Sequence, residues 1–148
     1  MGLFSKNKMP NEDDKFWIEQ KLKMIDTCNS WLTNGDNITG FFNSLESLKN
    51  SVKELLPYEK KYPNYFNPKP SQILNNFGAH KLLLEQKFID RYVMSIERKL
   101  LDYTTIRGKT NNFNKMVDIF RYYSGDFEPA NVNYFEFRLI ERFPEFYK

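Results

Sequence analysis

The sequence predicts an all-α protein, a single irregular bundle of four to five helices with a Pro/Tyr-rich connecting loop. Two observations carry this. Apolar residues recur at three- and four-residue steps through most of the chain, and Pro57, Gly108 and Gly125 punctuate those stretches. A third is negative: the one stretch that alternates like a strand, Phe135, Phe137 and Leu139, would have no partner strand to bond with. With 148 residues, one core suffices, because a chain of this length removes about 70% of its unfolded surface from water.

The first helix begins after Asn11, whose side-chain oxygen caps free amides, while Glu12, Asp13 and Asp14 complement the positive end of the helix dipole. Ile18, Leu22, Ile25 and Leu32 fall at helical spacing, and Trp17, Met24, Cys28 and Trp31 form an adjacent stripe, so that one wide apolar face results. Asn34 and Gly35 are expected to supply a left-handed residue that ends it. The second helix reads most clearly: Phe41, Leu45, Leu48, Val52 and Leu55 alternate steps of four and three until Pro57. The short link between the two predicts an antiparallel hairpin.

From Tyr58 to Pro70 the prolines at 63, 68 and 70 exclude a continuous helix and favour extended backbone. The aromatics of this loop argue that it is ordered, since an exposed cluster would be a sticky surface. Ser71 is read as the cap of a third helix running to Ile106. Its register divides. Ile73, Phe77, His80, Leu84 and Phe88 lead one stripe, and Leu82, Ile89, Val93, Ile96, Leu100 and Tyr103 lead another, so either the helix meets different partners along its length or it breaks near Gly78. Arg107 to Thr110 punctuate it, and Phe113, Met116, Val117, Phe120 and Tyr123 give a fourth helix ending near Ser124 and Gly125. For the tail, Val132, Phe135, Leu139 and Phe143 favour a short helix. Residues 1–10 read as a flexible tail and 11–148 as one helical domain.

The composition is 41% hydrophobic and 17% aromatic, enough apolar surface to offset the entropy of ordering. The 14 Phe and 9 Tyr read as an aromatic core rather than a stacking platform for a ligand. A net charge of +3 is too even for a dedicated nucleic-acid binder. Cys28 is the only cysteine, so no intramolecular disulfide forms, which fits a reducing cytoplasm. No signal-peptide core and no membrane-spanning apolar run occur, and Gly2 lacks the Ser or Thr that myristoylation wants at the position of Lys6.

Residue counts narrow the chemistry. Cys28 and His80 cannot supply the four ligands of a zinc site, and no Glu-x-x-His occurs for a helical di-iron centre, so no metal or cofactor is expected. The sole histidine falls inside a predicted helix, where it reads as a core-edge residue rather than a catalytic base. Neither phosphate-binding glycine motif is present. Asp90 and Glu97 share a helical face, but Arg91, Arg98 and Lys99 nearby make ordinary surface pairing the expectation.

The reading that survives is a small soluble non-enzymatic protein-interaction module, an adaptor, inhibitor or assembly factor. Its partner would be held by Tyr62, Tyr65 and Phe66, because aromatic anchors dominate contact energy. The alternative is weak nucleic-acid binding through Lys60, Lys61, Arg91, Arg98 and Lys99, on a basic, aromatic-flanked face. A homo-oligomeric structural protein, paired through apolar residues left over from the third helix, is the third.

Overall fold

The computed structural model describes residues 8–147. The tail expected over 1–10, with Gly2, therefore falls mostly outside the described residues. Among those described there is no strand, and seven α-helices follow in order. They are α1 (Glu12–Asn34), α2 (Ile38–Glu54), α3 (Leu56–Lys61), α4 (Pro70–Asn75), α5 (Phe77–Leu100), α6 (Ile106–Tyr122) and α7 (Pro129–Arg142), with single 3-10 turns at Ser124–Asp126 and Pro144–Phe146. The all-α class is as expected. Over the span read as one domain, contacts gather into two compact units: unit 1 holds residues 8–34 and 42–81, and unit 2 holds 35–41 and 82–147.

In unit 1, Asn11 caps α1 as expected, its Oδ1 accepting from the Asp14 amide at 2.8 Å. Ile18, Ile25, Cys28 and Leu32 are buried. The stripe beside them is not: Phe16, Trp17, Leu22 and Met24 are exposed, so only part of the wide apolar face finds cover. No described residue takes a positive φ, so the left-handed cap expected at Asn34 or Gly35 is absent. The last turn instead carries side-chain bonds back along the helix, with the Thr33 hydroxyl donating to the Asn29 carbonyl and the Asn34 amide to that of Ser30. Leu45, Leu48, Val52 and Leu55 are buried in the register read from the sequence. A salt bridge from Lys21 to Glu54 gives the antiparallel sense of α1 and α2.

Pro57 does end α2, but it also opens α3 within its first turn, where a missing amide costs nothing. Thus 58–61 is helical rather than extended. The third expected helix divides as well. Pro70, not Ser71, sits at the start of α4, and the Ser71 amide donates to Glu59 Oε1 at 2.8 Å. The break comes at Asn76, two residues before Gly78, and α5 ends at Leu100, six residues short of Ile106.

Unit 2 is centred on aromatic rings. Phe41 stacks on Phe88 at 4.6 Å, and Phe120 stacks on Phe127 at 4.7 Å and on Phe135 at 3.6 Å. Tyr92 lies against Phe88, Phe120 and Phe135, and its hydroxyl donates to the Met116 carbonyl. Burial pushes that phenol well above its ordinary pKa. The helix starting at Ile106 takes in Arg107 to Thr110, because the Thr105 hydroxyl accepts from the Gly108 amide at 3.0 Å and caps it. In α7 Phe135 and Leu139 are buried, Phe143 follows them, and Phe137 is 61% exposed. The helical reading of the tail is the one realised.

One carboxylate lies in the core. Glu85 is fully buried in α5, and its Oε1 accepts from the Asn131 side-chain amide at 2.9 Å and the Glu128 backbone amide at 3.0 Å. It thereby satisfies a free amide at the start of α7.

Candidate functional site

Asp14, in the first turn of α1, holds the segment after α3. Its carboxylate accepts from the Lys61 ammonium at 2.8 Å and from the Tyr62 hydroxyl, and these two bonds, Lys61 first, hold its pKa below the ordinary carboxylate value. Lys8 and Lys61 also lie over the Tyr62 ring, at 5.7 and 5.5 Å. Tyr62 and Phe66 are buried, and Tyr65 is half-buried against Phe66. Two of the three rings read from the sequence as partner anchors instead anchor their own loop.

The five basic residues proposed for nucleic acid fall in different units. In unit 1 Lys60 is exposed and Lys61 is bonded to Asp14. In unit 2 Arg91 Nε donates to the Gly35 carbonyl at 2.7 Å, Arg98 reaches Asp36 at 3.4 Å, and Lys99 is exposed. Asp90 and Glu97 are paired, but not with the neighbours read from the sequence. Asp90 accepts from the Tyr134 hydroxyl at 2.5 Å and lies 3.5 Å from Arg138, while Glu97 takes a two-pronged pair from Arg142 at 2.9 to 3.2 Å. The Asp90 carboxylate raises the Tyr134 pKa by accepting its proton in a hydrogen bond.

A cleft of about 500 Å³ in unit 2 is the stronger candidate site. Its geometry follows from three chain features. Helix α5 stops at Leu100 and Thr105 caps α6, so Leu101 and Ile106 stand at the two ends of a short connection. The turn after Phe143 brings Phe146 onto Phe113, stacked at 4.3 Å, with Phe143 edge-on to the same ring at 5.3 Å. Buried Leu100 and Phe143 make the floor, with Phe146 beside them. Leu101 and Ile106 make the lips, at 78% and 84% exposed. The Glu97 to Arg142 pair, Lys109 and Glu145 form a charged rim. Sequence reasoning missed these lips because it ran one helix through both residues; the Thr105 cap was the signal.

Unit 1 carries a second cleft, of about 510 Å³, between α1, α2, α4 and the start of α5. Ile25 and Leu48 lie beneath it and His80 on its rim. His80 is exposed, not the core-edge residue expected, although Phe77, Leu84 and Phe88 of its stripe are buried. Cys28 is buried, which pushes its thiol pKa up and makes it a poor nucleophile.

Among the described residues, no group of three or more His, Cys, Asp or Glu is placed to hold a metal ion, and no helix is long and apolar enough to cross a membrane. Compared with known family models, with curated proteins and with solved structures, the chain matches none.

Proposed function

We propose that the chain is a non-enzymatic protein-interaction module, an adaptor, inhibitor or assembly factor, that holds a partner segment in the cleft of unit 2. One observation carries the reading: Leu101 and Ile106, the most exposed large aliphatic side chains among the described residues, flank a cleft floored by Leu100 and Phe143. Solvent-facing apolar lips around an apolar floor cost free energy unless something covers them. The mixed charges of Glu97, Arg142, Lys109 and Glu145 form the polar surround that excludes water from a buried anchor. The partner chemistry that fits is a segment inserting one or two apolar side chains between charged or polar neighbours.

A cytoplasmic location belongs to the same proposal, supported by the single buried thiol of Cys28, which needs no oxidising compartment.

The test is capture from lysate by the immobilised chain and by its Leu101→Asp/Ile106→Asp variant. Both positions are exposed, so the helical circular dichroism is expected to stay unchanged while captured proteins fall by about tenfold or more, as for loss of a central apolar anchor. Light scattering on both proteins separates a foreign partner from a second copy of this chain. Undiminished capture, with no change of mass, would rule out this cleft.

A further inference from the structure

Three carboxamides and an imidazole gather over the cleft of unit 1. Ile25 and Leu48 are buried at its base, with Ile73 and Pro68 beside them, and its volume of about 510 Å³ is that of an ordinary small-ligand site. Its rim consists of Asn29, Gln72, Asn76 and His80, all exposed. No carboxylate or ammonium lines it among the described residues.

This composition selects a ligand. A carboxamide presents an N–H donor and a C=O acceptor side by side, and imidazole carries one of each when neutral. A charged ligand would meet no carboxylate or ammonium to pair with among the lining residues. A hydrocarbon would cover the rim amides without offering them a hydrogen bond. A neutral group with adjacent donor and acceptor satisfies the rim, and an apolar body attached to it satisfies the floor. Gln72 Oε1 already accepts from the Lys69 amide at 3.1 Å, which leaves its NH2 as the donor.

The geometry points to a binding site for a neutral carboxamide carried on a small apolar body, with Ile25, Leu48 and Ile73 taking the body and Asn29, Gln72, Asn76 and His80 taking the amide. The inference concerns unit 1 alone and does not rest on the docking reading of unit 2.

The probe is N-acetyl-leucine N-methylamide, with N-acetyl-leucinate as the control that keeps the body and replaces one amide by a carboxylate. Proton–nitrogen spectra of the full chain report on the side-chain amides of Asn29, Gln72 and Asn76 and on the backbone of 72–80. The neutral probe is expected to give saturable shifts there and the carboxylate to bind about tenfold more weakly. Asn29→Ala and His80→Ala, at exposed positions that leave the fold intact, are each expected to weaken the neutral probe about three- to tenfold, the equivalent of one hydrogen bond. Absence of saturable shifts, equal binding of the two probes, or full affinity in both variants would overturn the assignment. A longer probe, N-acetyl-Ala-Leu-Ala N-methylamide, resolves the source of the amide. Tighter binding than the single residue identifies a peptide main chain and equal binding a free small amide, and either upholds the site.

Discussion

Asp14 stands three residues into α1, where sequence patterning gives it a place in the acidic first turn and nothing more. Its role comes from a residue 48 positions away, because the Tyr62 hydroxyl and the Lys61 ammonium both converge on its Oδ2. The carboxylate pKa is lowered from 3.8 by those bonds and the Lys61 pKa is raised from 10.5, so each favours the charged form of the other. A carboxylate with a depressed folded-state pKa contributes stability above its unfolded value and loses it as pH falls through the folded one. Asp14→Asn is therefore expected to lower the melting temperature at pH 7. The gap should narrow below about pH 4 and close once Asp14 itself is protonated. Melting curves from pH 7 to pH 2 check this, and a gap that persists at the acid end would mean that packing, not charge, is lost. Glu85 teaches a related point. Glu85, Ile89, Tyr92 and Ile96 are spaced four, three and four apart and are all buried, so the core register did contain the acid. What the register could not reveal is the partner, since Asn131 and the Glu128 amide lie more than 40 residues away.

At the level of the element, helix interiors were more legible than helix ends, although the Asn11 cap of α1 and the end of α6 near Ser124 were read correctly. Phe41, Leu45, Leu48, Val52 and Leu55 are all buried, as their spacing implies. Interiors repeat, whereas an end is decided by one or two hydrogen bonds. Pro57 shows it: the same ring that forbids continuing α2 is tolerated in the first turn of α3. The junction of α5 and α6 shows it again. A long helix through Leu101 and Ile106 satisfied the apolar count, but it hid the Thr105 cap and with it the two exposed lips of the cleft. The cap also accounts for Gly108, where a Cβ would lie 2.9 Å from Thr105 Oγ1. Thr105→Ala leaves an amide of the first turn without its acceptor and is expected to cost about 1 kcal/mol, within the range of about 0.5–2 kcal/mol for such caps. Urea unfolding should show a lower midpoint at unchanged slope, together with faster amide exchange over 106–109. An unshifted midpoint would mean that α6 is held by its buried face alone.

For the molecule as a whole, the aromatic content was the best guide to where the stability lies, while the position of the candidate sites was beyond it. Phe41, Phe88, Phe120, Phe127 and Phe135 come from separate stretches of sequence and meet in one core, as the aromatic composition suggested. Which aromatics stay outside depends on helical phase. Phe135 and Phe137 are two residues apart on α7, yet the first is fully buried and the second 61% exposed, because two residues turn a helix by about 200°. That contrast makes a paired prediction. Phe120→Ala removes a ring stacked on Phe127 and Phe135 and leaves a cavity that close-packed neighbours refill only in part, at a cost of about 3–5 kcal/mol. Phe137→Ala removes a ring of equal size that lies mostly in water and should change stability far less, by about 0.5 kcal/mol. Since a domain retains only about 5–15 kcal/mol in total, the first variant should melt at a visibly lower temperature and the second with the parent protein. A large loss from Phe137→Ala would mean that its face of α7 is covered in solution, and would place a docking surface on that helix.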